Sequence, residues 1–151
     1  MTALYFAYGS NLSLERMRAR VPSARVMGPG LLRGARLRLD KRGADGSGKA
    51  NLAADRHGCV WGVAYRLSAA HWGDLDAVEP GYSRVTVELE LFGRGVSAET
   101  YRSERLTADP VAFDWYKRLI VEGARQHGLP EDYVRHLEAL PARPDPRRLR
   151  G

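Results

Sequence analysis

The stretch Leu4-Tyr5-Phe6-Ala7-Tyr8-Gly9-Ser10-Asn11-Leu12 decides how this chain begins to fold. Its first five residues are apolar or aromatic, and this short run predicts a buried β-strand. Gly9-Ser10-Asn11 has turn chemistry, and apolar residues then recur at helical spacing. Either Asn11 or Ser13 can cap that helix. The chain therefore opens with a strand, a tight loop and the beginning of a helix.

The remaining segments predict an α+β fold with a mainly antiparallel sheet. Residues 82–92 alternate between apolar and polar side chains, which is typical of a half-buried strand, and residues 96–101 can pair with them in a hairpin. Helices are expected from Ser68 to the Pro80-Gly81 stop, from Pro110 onward and over about 131–140. Further strands are expected at 31–39, 51–54 and 59–67, with a Gly- and Asp-rich loop at 41–49.

The composition is that of an ordinary globular protein. A chain of 151 residues with 44% hydrophobic and 28% charged residues is long enough for one core and too short for two. We therefore expect one domain over residues 1–140, followed by a Pro/Arg-rich tail over 141–151. This tail holds four arginines and one aspartate, and so carries half of the net charge of +6. Its closely spaced prolines exclude a regular helix or a central strand, and we interpret it as a solvated extension.

The sequence predicts no metal and no cofactor. A single cysteine excludes both a disulfide framework and a CxxC-type zinc site. The histidines show no metal-ligand spacing. No signal peptide or membrane-spanning run is visible, and we expect a cytoplasmic protein.

Residues 43–49 fit the GxxxxGK pattern of a phosphate-binding loop. The residue after Lys49 is Ala50, which lacks the hydroxyl that would hold Mg²⁺. No capped amphipathic helix follows, so no helix dipole would face the phosphates. A flexible connection between strands accounts for these glycines, and we do not expect nucleotide binding.

Two segments are candidates for chemistry. In Tyr8-Gly9-Ser10-Asn11-Leu12, glycine permits close approach of a ligand and successive backbone N–H groups could bind a carboxylate. A simple helix cap would use the same donors, and the residues alone leave both interpretations open. The second candidate, Glu79, lies at a helix end, where the dipole and partial burial would raise the pKa of its carboxyl. A carboxyl of this kind can take up and return a proton; on spacing alone, a solvated glutamate is the simpler interpretation.

Taken together, several segments resemble the gamma-glutamylcyclotransferase family and its AIG2-like relatives. The resemblance runs from about Leu4 to Leu140, and the pairing of the Tyr-Gly-Ser-Asn start with a downstream glutamate is its most specific feature. The matching segments are 5–12, Val60-Trp61-Gly62-Val63, Leu75-Asp76-Ala77-Val78-Glu79, Tyr82-Ser83-Arg84, Tyr116-Lys117, Gly123-Ala124 and 128–133.

The resemblance implies a small, partly closed, mainly antiparallel β-barrel with flanking helices. The catalytic glutamate of the family falls on Glu79, and a tyrosine that lines its pocket falls on Tyr101. The substrate-binding residues that we predict are Tyr8, Gly9, Ser10, Asn11, Leu12, Tyr82 and Tyr101. The family usually places glycine after the glutamate, whereas Pro80 follows it here. Residues 41–57 follow no family pattern.

The implied reaction releases 5-oxoproline and a free amine or amino acid from a γ-glutamyl substrate, without a cofactor. We therefore predict that the protein binds this small molecule and neither nucleic acid nor a membrane. A homodimer is possible on this interpretation. The alternative is a non-catalytic module that holds a glutamyl-like carboxylate ligand in the same pocket. Nucleic-acid binding by the arginine-rich tail ranks last, because no aromatic platform accompanies the arginines.

Overall fold

The computed structural model describes residues 2–148. Seven strands and four α-helices occur within this range, joined by three short 3₁₀ turns at Ser10–Leu12, Ala69–His71 and Pro146–Arg148. The strands are β1 (Thr2–Ala7), β2 (Arg25–Arg42), β3 (Gly48–Ser68), β4 (Ser83–Leu91), β5 (Arg94–Arg102), β6 (Ala112–Phe113) and β7 (Ala142–Arg143). The helices are α1 (Leu14–Arg20), α2 (Trp72–Ala77), α3 (Asp114–Gln126) and α4 (Glu131–Glu138).

Strands β1 to β5 form a closed barrel in the order β1-β3-β2-β4-β5. Its neighbours pair antiparallel except β1 and β5, which meet in parallel at Tyr5 and Glu99. This contact closes the barrel completely and confirms the predicted α+β barrel with flanking helices. Alternate side chains of the strands lie on opposite faces of the barrel sheet. Phe6 and Val60 share one face and Tyr65 lies on the other, and none of the three has exposed surface.

The two longest strands differ from the sequence prediction. The loop expected at 41–49 is confined to a turn at residues 43–47, because β2 continues to Arg42, β3 begins at Gly48, and Lys41 pairs with Lys49. The two short strands expected at 51–54 and 59–67 are parts of the single strand β3. Irregularities in the β2–β3 register bend the pair around the barrel. Strand pairing therefore extends residues 41–42 and 48–49, while the glycine-rich sequence between them forms the turn that its local pattern predicts.

The C-terminal segment also differs from the prediction. Residues 142–143 form β7, which pairs in parallel with β6. Asp145 is only 4% exposed, and its carboxylate accepts a hydrogen bond from the indole of Trp115 at 2.9 Å. Residues 142–148 are therefore held on the protein by this short pairing and by side-chain anchors and do not form a free extension, although all of them except Asp145 are exposed to solvent. The remaining tail, residues 149–151, lies outside the described residues.

Within residues 2–148, no helix is long and apolar enough to cross a bilayer.

Candidate active site

An inner recess with about 290 Å³ of empty space, part of it open to solvent, lies where β1 leaves the barrel. It joins the loop after β1 to the turn that follows α2, two regions that are far apart in the sequence. We call it the inner recess; its lining residues are Tyr5, Tyr8, Gly9, Ser10, Asn11, Ala50, Glu79, Tyr82, Tyr101 and Tyr116.

The loop after β1 folds tightly over β3. A Cβ atom on Gly9 would lie 2.8 Å from Cβ of Ala50, so the loop can approach β3 this closely only with glycine at this position. The Leu12 N–H donates to the Gly9 carbonyl at 3.0 Å, and the Ser13 hydroxyl caps α1 by accepting from the Arg16 N–H at 3.3 Å. Ser13, and not Asn11, therefore caps the helix, and the Asn11 side chain is left to face the recess.

The Glu79 carboxylate is held by two side chains from the loop and α1. Its Oε1 accepts from Asn11 Nδ2 and from Arg20 Nη1, each at 3.0 Å. Arg20 Nη1 also donates to Asn11 Oδ1 at 3.1 Å, so the three groups form a closed triangle. The following Pro80-Gly81 turn, with Gly81 at φ +82°, brings the chain back to Tyr82, and the carboxylate still enters the recess with proline after it.

Burial raises the pKa of the Glu79 carboxyl above its ordinary value. Arg20 and Asn11 act against this shift by stabilising the charged form, as do the more distant Arg16 and Lys41. The dominant cause is therefore desolvation, which the sequence predicted, whereas the helix-end carbonyls, which it also predicted, are not among the main causes. A carboxyl under these opposing influences is suited to proton transfer.

Four tyrosines around the carboxylate divide into two pairs. The hydroxyls of Tyr8 and Tyr82 donate to the backbone carbonyls of Tyr101 and Ala50, respectively, and so tie the strands together. The hydroxyls of Tyr5 and Tyr116 accept, from Asn11 Nδ2 at 3.0 Å and from the Ala50 N–H at 2.9 Å. Since an accepting hydroxyl keeps its own proton, these two groups remain donors for a bound anion. Burial raises the pKa of Tyr116 to about 12, so its hydroxyl stays neutral near pH 7.

Most of the predicted site residues lie together in this recess. Glu79, Tyr8, Gly9, Ser10, Asn11, Tyr82 and Tyr101 all line it. Leu12 does not: its side chain is fully buried in the core, and its N–H is already bonded to Gly9. The Tyr101 hydroxyl donates to Asp76, so it makes no direct bond to Glu79.

Sequence reasoning missed four groups of the site: Tyr5, Ala50, Tyr116 and Arg20. Their signals are weak, because Tyr5 and Tyr116 look like core aromatics and Ala50 contributes only its backbone. Arg20 could have been found from the sequence. It lies four residues after Arg16, so both arginines share one face of the helix that follows the candidate loop.

Comparison with known proteins gives consistent matches. Residues 59–137 match the AIG2-like family. Over 92% of its length the chain is 32% identical to a mouse protein named gamma-glutamylcyclotransferase, and it covers 79% of that protein. The human protein of the same name is 30% identical over 91% of the chain and is covered to 78%. A solved structure titled gamma-glutamyl cyclotransferase superposes with a TM-score of 0.86 at 29% identity, over 94% of this chain and 89% of that one.

Proposed function

Because the chain belongs to the AIG2-like family of gamma-glutamylcyclotransferase enzymes, we propose that its inner recess binds the glutamyl part of a γ-glutamyl substrate and that Glu79 moves the protons of the reaction. The observation that carries the proposal is the position of the Glu79 carboxylate. It is largely buried, with 14% of its side chain exposed, and it borders the loop amides and the hydroxyls that can bind an anion.

The first step is proton removal from the substrate. The α-ammonium group of the glutamyl unit transfers a proton to the Glu79 carboxylate, which leaves a neutral, nucleophilic amine. Before substrate binds, Oε1 of this carboxylate accepts from Arg20 and Asn11, and Oε2 makes no hydrogen bond to any residue between 2 and 148. We assign the proton transfer to Oε2.

The second step closes the ring. The amine attacks the γ-carbonyl carbon, so the lactam C–N bond forms and the carbonyl oxygen becomes an oxyanion. The backbone N–H groups of Ser10 and Asn11 and the hydroxyls of Tyr5 and Tyr116 are the donors available for the substrate carboxylate and for this oxyanion. Holding the chain curled supplies much of the rate enhancement, because well-oriented intramolecular reactions gain about 7–11 kcal/mol over bimolecular ones.

The third step releases the amine. Protonated Glu79 gives its proton to the leaving nitrogen, the γ-amide C–N bond breaks, and the carbonyl re-forms as 5-oxoproline. The lactam nitrogen loses its second proton to the regenerated carboxylate or to water, which balances protonation of the released amine. A single carboxyl thus serves as base and then as acid.

The experiment is an assay of 5-oxoproline release from γ-glutamyl dipeptides and γ-glutamylamines by wild type and Glu79→Gln. We expect the variant to keep the fold and to lose at least about 100-fold in kcat/KM, as befits removal of an acid–base group. Glu122→Gln, an exposed glutamate of α3, is the control and should behave as wild type. Activity of Glu79→Gln within a few-fold of wild type would remove Glu79 from the mechanism. Binding of these compounds by the wild type without any 5-oxoproline would identify a non-catalytic module.

A further inference from the structure

A second concavity adjoins the inner recess on the side of the β2–β3 turn. This outer cleft has about 850 Å³ of empty space, part of it open to solvent. It shares Ser10, Glu79, Tyr82 and Tyr116 with the inner recess. A leaving group attached to a glutamyl unit in the recess must pass Glu79 and lie in this cleft.

The outer cleft is lined by an excess of cations. Three of them already have anionic partners: Arg20 bonds Glu79, and Lys49 and Arg147 both bond Asp45. The cations that line the cleft are Arg16, Arg20, Lys41, Lys49 and Arg147, against the carboxylates of Asp45 and Glu79.

Arg16 and Lys41 form no ion pair with any residue in the described range 2–148. Nε of Arg16 is buried and has no hydrogen-bond partner within that range. Lys41 is only 7% exposed, and its ammonium lies 4.9 Å from the centre of the Tyr82 ring. The ammonium is not among the fully buried polar atoms, and no residue between 2 and 148 accepts a hydrogen bond from it, so a ligand in the cleft can reach its three N–H donors.

Burying a charge without a partner is costly, and binding an anion would offset that cost. The cost is visible at both residues, since burial lowers the pKa of Lys41 and of Arg16. The charge of the nearby Glu79 carboxylate acts against this lowering at both residues, but its ion pair is with Arg20 and it forms none with Arg16 or Lys41. Two unpaired cations on one cleft favour a ligand with two negative charges.

We propose that Arg16 and Lys41 form an anion subsite for the leaving group, and that the preferred substrates are γ-glutamyl dipeptides whose second residue is acidic. The α-carboxylate and the side-chain carboxylate of that residue supply the two negative charges. The proposal rests on the function proposed above and names its substrate class. It also gives a role to residues 41–49, for which the sequence resemblance offered none.

The test compares two nearly isosteric substrates, γ-glutamyl-L-glutamate and γ-glutamyl-L-glutamine, in the assay of 5-oxoproline release. For each dipeptide the quantity measured is kcat/KM. We expect the wild type to prefer the acidic dipeptide by at least about tenfold, the range for a hydrogen bond to a charged group. High salt should reduce this preference. A wild type that treats both dipeptides alike, or prefers the neutral one, overturns the proposal.

Two variants locate the effect. Lys41→Met keeps an unbranched side chain and removes the ammonium that lies over the Tyr82 ring, and Arg16→Gln keeps a polar group on α1. The cation that binds the side-chain carboxylate should lower the ratio of the two kcat/KM values by about tenfold when it is replaced. The other cation, which binds the α-carboxylate common to both dipeptides, should lower both values together, whereas Arg118→Gln, an exposed arginine of α3, should change neither. A ratio that keeps its wild-type value in both variants would overturn the assignment. If Arg16→Gln fails to fold, the wild-type preference and its decrease at high salt decide.

Failure of the subsite and failure of the function give different results. No 5-oxoproline from any γ-glutamyl compound refutes the proposed function. Release of 5-oxoproline without preference for the acidic dipeptide refutes only the subsite. Inhibition by free dicarboxylates is a second measurement on the wild type: L-glutamate should inhibit turnover of the neutral dipeptide more strongly than L-glutamine, and equal inhibition contradicts the subsite.

Discussion

Arg20 sets the acidity of the carboxyl that we place at the centre of the reaction. Its guanidinium donates to Glu79 at 3.0 Å, and this contact opposes the rise in pKa that burial causes. The pair is largely buried, with 19% of the arginine side chain and 14% of the glutamate side chain exposed. The opposing influences of burial and Arg20 therefore determine the pH at which the base is ionised.

Replacing Arg20 by glutamine should move the acid limb of the pH–rate profile. Without the positive charge, the pKa of Glu79 rises further, so the ionised base appears only at higher pH. We expect the acid limb of kcat/KM to shift upward by about one pH unit or more, the range for loss of an adjacent arginine. Arg18→Gln, an exposed arginine of the same helix, is the control. If the acid limb stays in place or moves to lower pH, the ion pair with Arg20 does not control the pKa of Glu79.

The Tyr101 hydroxyl does not bond the Glu79 carboxylate directly. The ring of Tyr101 lines the inner recess, while its hydroxyl donates to Asp76 and not to Glu79. Tyr101→Phe keeps the ring and loses this one hydrogen bond, which is worth about 0.5–1.5 kcal/mol. We expect kcat/KM to fall by about two- to tenfold. Full activity of Tyr101→Phe would mean that only the packing of the ring matters. A loss of kcat/KM as large as that of Glu79→Gln would mean that the hydroxyl takes a direct part in the reaction.

At the scale of elements, helix α3 packs against the loop after β1 and supports it on the side away from the inner recess. A Cβ atom on Gly123 would lie 2.5 Å from the backbone carbon of Leu12, so helix and loop touch without a side chain between them. His127, just after α3, is 2.9 Å from the Leu12 carbonyl through Nε2. Leu12, which we expected to bind substrate, instead fixes the loop to this helix.

Gly123→Ala should displace the loop. The added methyl group has no space, and overpacking of this kind costs about 1–3 kcal/mol. We expect lower stability in urea unfolding, together with a higher KM for γ-glutamyl substrates as Gly9 to Asn11 move. Gly73→Ala is the matched control, because a Cβ atom there meets nothing within 4 Å. The result that would contradict this account is a variant with wild-type KM and stability.

At the scale of the whole molecule, the C-terminal segment connects α3 to the rim of the outer cleft. Arg147 donates to Asp45 at 3.2 Å and to Asp145 at 2.9 Å. Partial burial raises the pKa of Asp45, but hydrogen bonds from Ser47 and Lys49 outweigh it and bring the value to about 2. The rim is therefore fixed by ionised groups at neutral pH.

Removing residues 144–151 should lower the melting temperature by a few degrees and reduce the preference for the acidic dipeptide. Trp115 loses its carboxylate partner, and the turn at Asp45 loses Arg147. Circular dichroism melts and the two-substrate assay measure these effects. Asp145→Asn retains the full chain and should show the same changes in weaker form. Unchanged melting in both variants would mean that this segment contributes nothing to the fold.

The amino-acid sequence by itself determined the parts of this protein that depend on local patterns. The hairpin was expected at 82–92 and 96–101 and is found at Ser83–Leu91 and Arg94–Arg102, because alternation of apolar residues reports directly on a half-buried strand. The Tyr-Gly-Ser-Asn loop and the later glutamate pointed to the family, which in turn implied the barrel.

Tertiary structure alone decided what depends on contacts between distant residues. The extension of β2 to Arg42 and the start of β3 at Gly48 follow from strand pairing, which a local pattern of glycines and charges does not encode. Only the fold brings Arg20 and Asn11 to Glu79, leaves Arg16 and Lys41 unpaired beside it, and anchors Asp145. Burial and charge pairing are properties of neighbours in space, and in this chain those neighbours come from segments up to about a hundred residues apart.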